Sequence, residues 1–266
     1  MTAIFDTHAH YDDKAFDEDR EAILASLPEN GIRRVVNVSA TLASGRRCLA
    51  LAEEYDIIYA AVGVHPSETA KPEEESEESL EQLRTMCRHP KCVAVGEIGL
   101  DYYWDRPERE IQRKWFIRQL QLAKECRLPV VIHSRDAARD TVEIMRAEKA
   151  EETGGVVHCF SYTKETAQAF LDMGFFIGIG GVLTFQNARK LKEAVQYVPM
   201  DRIVLETDCP YLAPAPFRGK RNCSLYLPYV VTALAQLKGI TEEEVREAAW
   251  ENGMRLYHMN RRSADK

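Results

Sequence analysis

The chain has 266 residues, 45% of them hydrophobic and 29% charged, which supplies a sizeable core and excludes an intrinsically disordered chain. Its net charge of −7, from 35 Lys and Arg against 42 Asp and Glu, argues against a surface built for non-specific duplex binding, where a basic face dominates. No apolar run approaches the roughly 20 residues of a membrane span, and the opening residues lack a basic start and an apolar stretch, so a cytoplasmic address without a membrane partner is expected. The seven cysteines form an odd set without a C-x-x-C pair and read as reduced thiols of a reducing compartment.

In chain order, eight short apolar segments rich in β-branched residues predict strands at Ile4–Asp6, Val35–Val38, Ile57–Val62, Cys92–Ile98, Pro129–Ile132, Gly155–Val157, Phe175–Ile179 and Ile203–Leu205. Helical periodicity fills the intervals. Pro72 and the acidic residues Glu73, Glu74, Glu75, Glu77 and Glu78 read as a first helical turn whose carboxylates meet the macrodipole. From Glu108 to Cys126, the residues Ile111, Trp115, Leu122 and Cys126 predict one buried stripe. Thr241 with Glu244 forms a capping box before Val245, Ala248, Ala249 and Leu256, which predicts a terminal helix. No low-complexity tract, short repeat or linker divides the chain.

Strict alternation of strand and helix implies a parallel sheet under covering helices, and eight such units predict one (β/α)₈ TIM barrel over residues 1–266, with its core at about 3–258. A doubly wound open sheet is the alternative. It loses its best support because Asp6-Thr-His-Ala-His10 stands where a Gly-x-Gly-x-x-Gly turn would follow the first strand.

Metal-competent side chains sit at or just after five predicted strands: His8 and His10, Glu97, His133, His158 and Asp208. A barrel places all five strand ends on its C-terminal face, where they converge. His8 and His10 lie two apart, so both imidazoles project to one side. Glu97 lies in an apolar strand, where an ionised carboxylate is costly unless it is paired or bound to a cation; a salt bridge to an arginine is the simpler alternative. His133 and His158 each end a buried apolar run. Glu206 lies two residues before Asp208 and is read as a supporting carboxylate, with Asp208 as the ligand. Cys159 and Cys209 follow His158 and Asp208 directly and should turn away as packing residues. Such a donor set suits Mg²⁺, Mn²⁺ or Zn²⁺.

Six ordered motifs carry a resemblance that spans essentially the whole chain: Phe5-Asp-Thr-His-Ala-His10, Gly63-Val-His-Pro66, Gly96-Glu-Ile-Gly-Leu-Asp101, Val131-Ile-His-Ser-Arg135, His158-Cys-Phe-Ser161 and Leu205-Glu-Thr-Asp-Cys-Pro-Tyr-Leu212. With them the chain resembles the TatD-type metal-dependent deoxyribonucleases of the amidohydrolase-like barrels. The resemblance implies two divalent ions, one held by His8, His10, Glu97 and Asp208 and the other by Glu97, His133 and His158. Glu97 would bridge them. It also implies hydrolysis of single-stranded DNA from its 3′ end, with RNA as a further substrate. Asp208 would orient the attacking water or take its proton, and His65 would contact phosphate or the leaving group.

Arg135 and the run Arg218-Gly-Lys220-Arg221 offer cations to phosphate oxygens, and Tyr102, Tyr103 and Trp104 could stack unpaired bases. No obligate protein partner is expected. In one place the chain departs from the family, with Arg221-Asn222-Cys223-Ser224 where many members read Arg-Asn-Glu-Pro. Two other readings stay open: attack on a carbonyl ester, such as that of a D-aminoacyl-tRNA, by the same ions, and a non-catalytic accessory barrel.

Overall fold

In the computed structural model, which describes residues 2–70, 76–104 and 107–259, all eight apolar segments are strands. They are β1 (Ile4–Ala9), β2 (Ile32–Val38), β3 (Ile58–Val62), β4 (Cys92–Asp101), β5 (Val130–Arg135), β6 (Gly155–Val157), β7 (Phe176–Ile179) and β8 (Ile203–Leu205). They pair in chain order, and every pairing is parallel. The ring closes just beyond β8, where Ala9 bridges Cys209, His10 N donates to Cys209 O (2.8 Å) and Asp208 N donates to His8 O (2.9 Å). This is the (β/α)₈ barrel; sequential order and closure rule out the open doubly wound sheet.

Parallel strands need long crossovers, which helices supply. Among the described residues these are α1 (Arg20–Ser26), α2 (Leu42–Glu54), α3 (Glu77–Cys87), α4 (Arg109–Cys126), α5 (Ala138–Ala147), α6 (Lys164–Leu171) and α7 (Arg189–Tyr197), and α8 (Leu227–Lys238) and α9 (Glu242–Leu256) follow the last strand. Thr241 caps α9 through the reciprocal box with Glu244. Glu77 and Glu78 occupy the first turn of α3, which Ser76 caps; Pro72, Glu73, Glu74 and Glu75 lie outside the described residues.

The predicted stripe on α4 is corrected. Trp115 and Leu122 are buried, but Ile111 and Cys126 are only partly so, and Gln112 and Gln119 share the buried face with Phe116 and Ala123. Two glutamines are tolerated there because each meets backbone. Gln119 accepts from Val64 N (2.7 Å) and donates to Val64 O (3.0 Å). Gln112 accepts from Asp101 N (2.8 Å) and donates to the carbonyls of Asp101 and Pro107.

Strand alternation divides the core in two. One apolar cluster lies between strands and helices. A second joins Phe5, Val36, Ala61, Val93, Val131, Val156, Phe176 and Val204 inside the ring, together with Leu256 and Tyr257 at the end of α9. Stepping two residues along a strand returns to the same face, so inward Val131, Val156 and Val204 place His133, His158 and Glu206 inward one tier above. The apolar floor thus fixes the direction of the polar residues over it.

Candidate metal centre

The two oxygens of Glu97 divide the inward-facing donors into two groups. Oε2 lies 3.5 Å from His8 Nε2 and 3.8 Å from His10 Nε2. Asp208 Oδ1 completes that group at 3.6 and 3.3 Å from the same nitrogens, which are 3.0 Å apart. Oε1 lies 2.7 Å from His133 Nδ1 and 2.6 Å from His158 Nε2. Tetrahedral donors 2.0–2.2 Å from one ion stand roughly 3.4 Å apart, so the Oε2 group already has the spacing of a coordination sphere. The donor chemistry, imidazole with carboxylate, fits divalent cations.

Hydrogen bonds outside the cluster set the tautomers. His10 Nδ1 donates to Val38 O (2.7 Å), and His133 Nε2 donates to Asp101 Oδ2 (3.0 Å). Each bond leaves the other nitrogen facing the cluster as the one that would take an ion once its proton is displaced. Asp101 is a residue that the sequence reading quoted within a motif without giving it a role. Its carboxylate also accepts from Tyr103 N (3.0 Å), and Gln112 fixes its backbone from α4.

Below the donors, the His8 and His158 rings stack with centroids 4.0 Å apart. Among the described residues their buried Nδ1 atoms have no hydrogen-bond partner, and neither has Glu206 Oε2. Glu206 Oε1 is 4.0 Å from His158 Nδ1, and the three side chains form one compact group. A metal on each Nε2 requires a proton on each Nδ1, and the shared carboxylate is the acceptor those protons need.

Burial and charge oppose each other throughout the centre. Burial raises Glu97, but the charge of His158 and the hydrogen bonds from His133 and His158 outweigh it and hold the carboxyl well below its usual range. Asp208 is likewise held low against its burial, chiefly by the hydrogen bond from His10. Burial depresses His10 and His133, yet their carboxylate partners lift both to about 9. His8 falls to about 4 through burial and the charge of His158. Burial pushes Glu206 up to about 8.

His65 lies nearer this centre than a purely substrate-contacting role implies. Its Nε2 is 3.5 Å from Glu97 Oε1, and its ring meets His133 edge-on at 4.4 Å. Nδ1 accepts the Ser67 amide (3.1 Å), so the proton of the neutral ring sits on Nε2. That makes His65 a hydrogen-bond donor into the cleft, although its ring could also group with Glu97 and His133 around an ion. Glu97 itself has no arginine partner among the described residues; its partners are histidines.

A cleft of about 870 Å³ opens above the donors. It is lined by His10, His65, Glu97, His133, His158 and Asp208, with Lys14, Arg47, Trp104, Arg135, Tyr211 and Leu212 among its other walls. Arg135 therefore stands where a cation was expected. Arg218, Lys220 and Arg221 do not line the cleft. Arg221 pairs with Asp19 and donates to Ala15 O (2.6 Å), Arg218 lies over the Phe185 ring at 4.4 Å, and Lys220 stands 6.0 Å from the Phe217 ring. Tyr103 is exposed and carries the Arg135 guanidinium at 3.8 Å from its ring, and its neighbour Trp104 reaches the cleft wall. Lys14 and Arg47, which the sequence reading missed, supply the other cations.

The departure from the family's pattern is confined to Cys223 and Ser224, and the segment around it supports the metal donors. Asn222 Nδ2 donates to Thr207 O (2.8 Å), and Ser224 Oγ donates to Asp6 Oδ2 (2.6 Å), bracing the segment that carries Asp208. Cys209 is buried and Cys159 partly so, and neither joins a metal-competent group among the described residues.

The sequence model of the TatD related DNase family matches residues 5–258. The uncharacterized metal-dependent hydrolase YabD of Bacillus subtilis is 43% identical over 257 residues, covering 97% of this chain and 100% of its own. The uncharacterized metal-dependent hydrolase YcfH of Escherichia coli is 37% identical over 260 residues, covering 97% and 96%. Among solved structures, the E. coli TatD homolog YjjV superposes with a TM-score of 0.89 at 35% identity, covering 96% of this chain and 98% of its own. A TatD family hydrolase from Entamoeba histolytica gives 0.87 at 25% identity, covering 97% and 99%.

Proposed function

The chain belongs to the TatD-related DNase family, and from that premise we propose that it is a metal-dependent hydrolase cleaving phosphodiester bonds of single-stranded DNA from the 3′ end. The observation that carries this reading is the division of six donors between the two oxygens of one buried carboxylate, Glu97. His8, His10 and Asp208 would hold one ion and His133 and His158 the other, with Glu97 shared. Two divalent ions held there would lower the pKa of a water and offset the charge that develops on a phosphodiester.

The chain's own groups set the rest. Asp208, kept ionised by His10, is placed to orient the attacking water and accept its proton. Burial lowers His65 to about 3, so at neutral pH it acts as an uncharged donor from Nε2 to a phosphate oxygen. Arg135 offers planar donors to a neighbouring phosphate, and exposed Trp104 offers a stacking face to an unpaired base. Lys14 adds a cation to the cleft wall beside Asp12, Asp13 and Glu68, and Arg47 is paired there with Asp12 at 3.2 Å.

The test is digestion of an end-labelled single-stranded oligonucleotide with Mg²⁺ or Mn²⁺, beside EDTA and a Glu97→Ala protein. A ladder that shortens from the 3′ end only in the metal-supplied wild type is the expected result. No cleavage by protein shown to hold two ions would move the reading to carbonyl esters, tested by release of free amino acid from aminoacyl-tRNA.

A further inference from the structure

Acidic residues, 42 in a chain of 266, are unevenly placed. None occurs in 173–192, which holds β7 and the first turn of α7, and none in 209–241, which runs from beyond β8 through α8. Three cations of these stretches are engaged: Arg189 stands 3.2 Å from Glu193, Arg221 pairs with Asp19, and Lys238 donates to the carbonyls of Gln196 and Val198. Lys190, Lys192, Arg218 and Lys220 have no carboxylate partner among the described residues. A surface of one sign is thereby built into a chain of net −7.

The two stretches pack together. Gly181 meets the Leu212 carbonyl so closely that a Cβ there would stand 2.1 Å from the oxygen, and Ala215 N donates to Thr184 Oγ1 (2.8 Å). Beside this junction lies an open groove of about 590 Å³, walled by Thr184, Lys192, Ala215 and one face of α8 that presents Tyr229, Ala233 and Gln236. No carboxylate lines it; Glu242, which accepts from the Thr232 hydroxyl at its edge (2.6 Å), also stands 4.0 Å from Arg246. Tyr229 is 42% exposed, and the Phe217 ring stands edge-on to it at 5.1 Å. Lys220 Nζ lies 6.0 Å from the Phe217 ring, and Arg218 lies over Phe185, the neighbour of Thr184. Leu212 in the cleft wall and Ala215 in the groove wall are three residues apart, at most about 11 Å, so cleft and groove adjoin.

We propose that this groove is a second binding site for single-stranded polynucleotide, taking the part of the strand that flanks the end held in the cleft. The proposal rests on the reading of the cleft as a site for single-stranded DNA. Bases lie against Tyr229 and Phe217, and phosphates meet Lys192, Arg218 and Lys220. Rings for stacking beside cations for the backbone are what sequence-tolerant single-strand binders use. A duplex keeps its bases paired and offers these rings nothing to stack on. An acidic polypeptide would satisfy the cations but leave the exposed Tyr229 face uncovered.

The test separates binding from cleavage. Fluorescence anisotropy of the full chain in EDTA follows a labelled thymidine oligonucleotide of about 16 nucleotides across a salt series. Tyr229→Ala should weaken binding about 5–150-fold. Lys192→Ala combined with Lys220→Ala should make the slope of log affinity against log salt shallower by about 1.4, two phosphate contacts of a single strand. Neither change should alter turnover with Mn²⁺ of an oligonucleotide of about four nucleotides, which the cleft alone accommodates. Photocrosslinking of the wild type through bromouracil, mapped by mass spectrometry, should mark Tyr229 or Phe217 and needs no variant. Crosslinks confined to cleft residues, unchanged affinity in both variants, or equal competition by polyaspartate overturns the proposal. Cleavage that persists in that case leaves the reading of the cleft standing, whereas groove-dependent binding without any cleavage would overturn that reading and keep the groove.

Discussion

A methyl group at position 178 would lie 2.7 Å from Glu206 Cδ, so Gly178 of β7 and Glu206 beyond β8 are matched as a gap and its filling. The carboxylate that occupies the gap stands beneath the unpartnered Nδ1 atoms of His8 and His158. A position that would otherwise hold an apolar barrel residue is therefore given up to seat a buried acid.

Gly178→Ala should displace that acid or distort β7. Overpacking of a well-filled interior costs about 1–3 kcal/mol, and here the neighbour forced to move is a carboxyl group with nowhere wet to go. Urea unfolding of the metal-free protein should show a lower midpoint at unchanged slope. A midpoint equal to the wild type would mean that the gap is looser than its geometry indicates.

Glu206→Gln keeps the volume but presents an NH₂ where two imidazole N–H groups seek acceptors. Losing the outer partner of a metal-bound histidine typically weakens metal affinity about 10–100-fold, and here two histidines share the partner. Chelator competition with Mn²⁺ or Zn²⁺ measures this directly, with circular dichroism to verify the fold. Unchanged affinity would sink the assignment of Glu206 as their common acceptor.

The strands and the inward donors were legible in the sequence for one physical reason: period-two alternation ties each donor to an apolar residue two positions earlier, as Val131 does for His133 and Val156 for His158. What escaped reading depends on long-range pairing. Gln112 and Gln119 look like breaks in the apolar stripe of α4 until their backbone partners at Asp101 and Val64 are seen. Arg221 reads as a free cation, yet Asp19, some two hundred positions away in sequence, neutralises it. Asp101 was within reach: it shares parity with Glu97 and stands at the C-terminal end of β4, the end that carries barrel chemistry.

Trp104 should contribute to holding substrate rather than to the chemical step. It is 59% exposed and forms part of the cleft wall, and stacking of one base on such a ring is worth about 1–3 kcal/mol. Trp104→Ala should raise KM for a single-stranded oligonucleotide about 5–150-fold and leave turnover of a small aryl phosphodiester unchanged. Equal losses on both substrates would assign the ring to packing.

Metal binding should strengthen steeply as pH rises. In the metal-free protein the carboxylates around His10 and His133 overcome burial and raise both imidazoles to about 9, so at neutral pH each carries a proton that an ion must displace. His8, already lowered to about 4, contributes none. Protons compete below the raised pKa and vanish above it, so affinity must increase with pH and level off beyond about 9. Between neutrality and that point, each ion displaces one proton, which changes its affinity about tenfold per pH unit, or about a hundredfold for the binding of both ions together. Calorimetric titration of the apoprotein with Mn²⁺ in buffers of different ionisation heat counts the released protons independently of the affinity. A pH-independent affinity, or no buffer dependence of the heat, would show that the imidazoles are already neutral and that the carboxylates do not hold their protons in place.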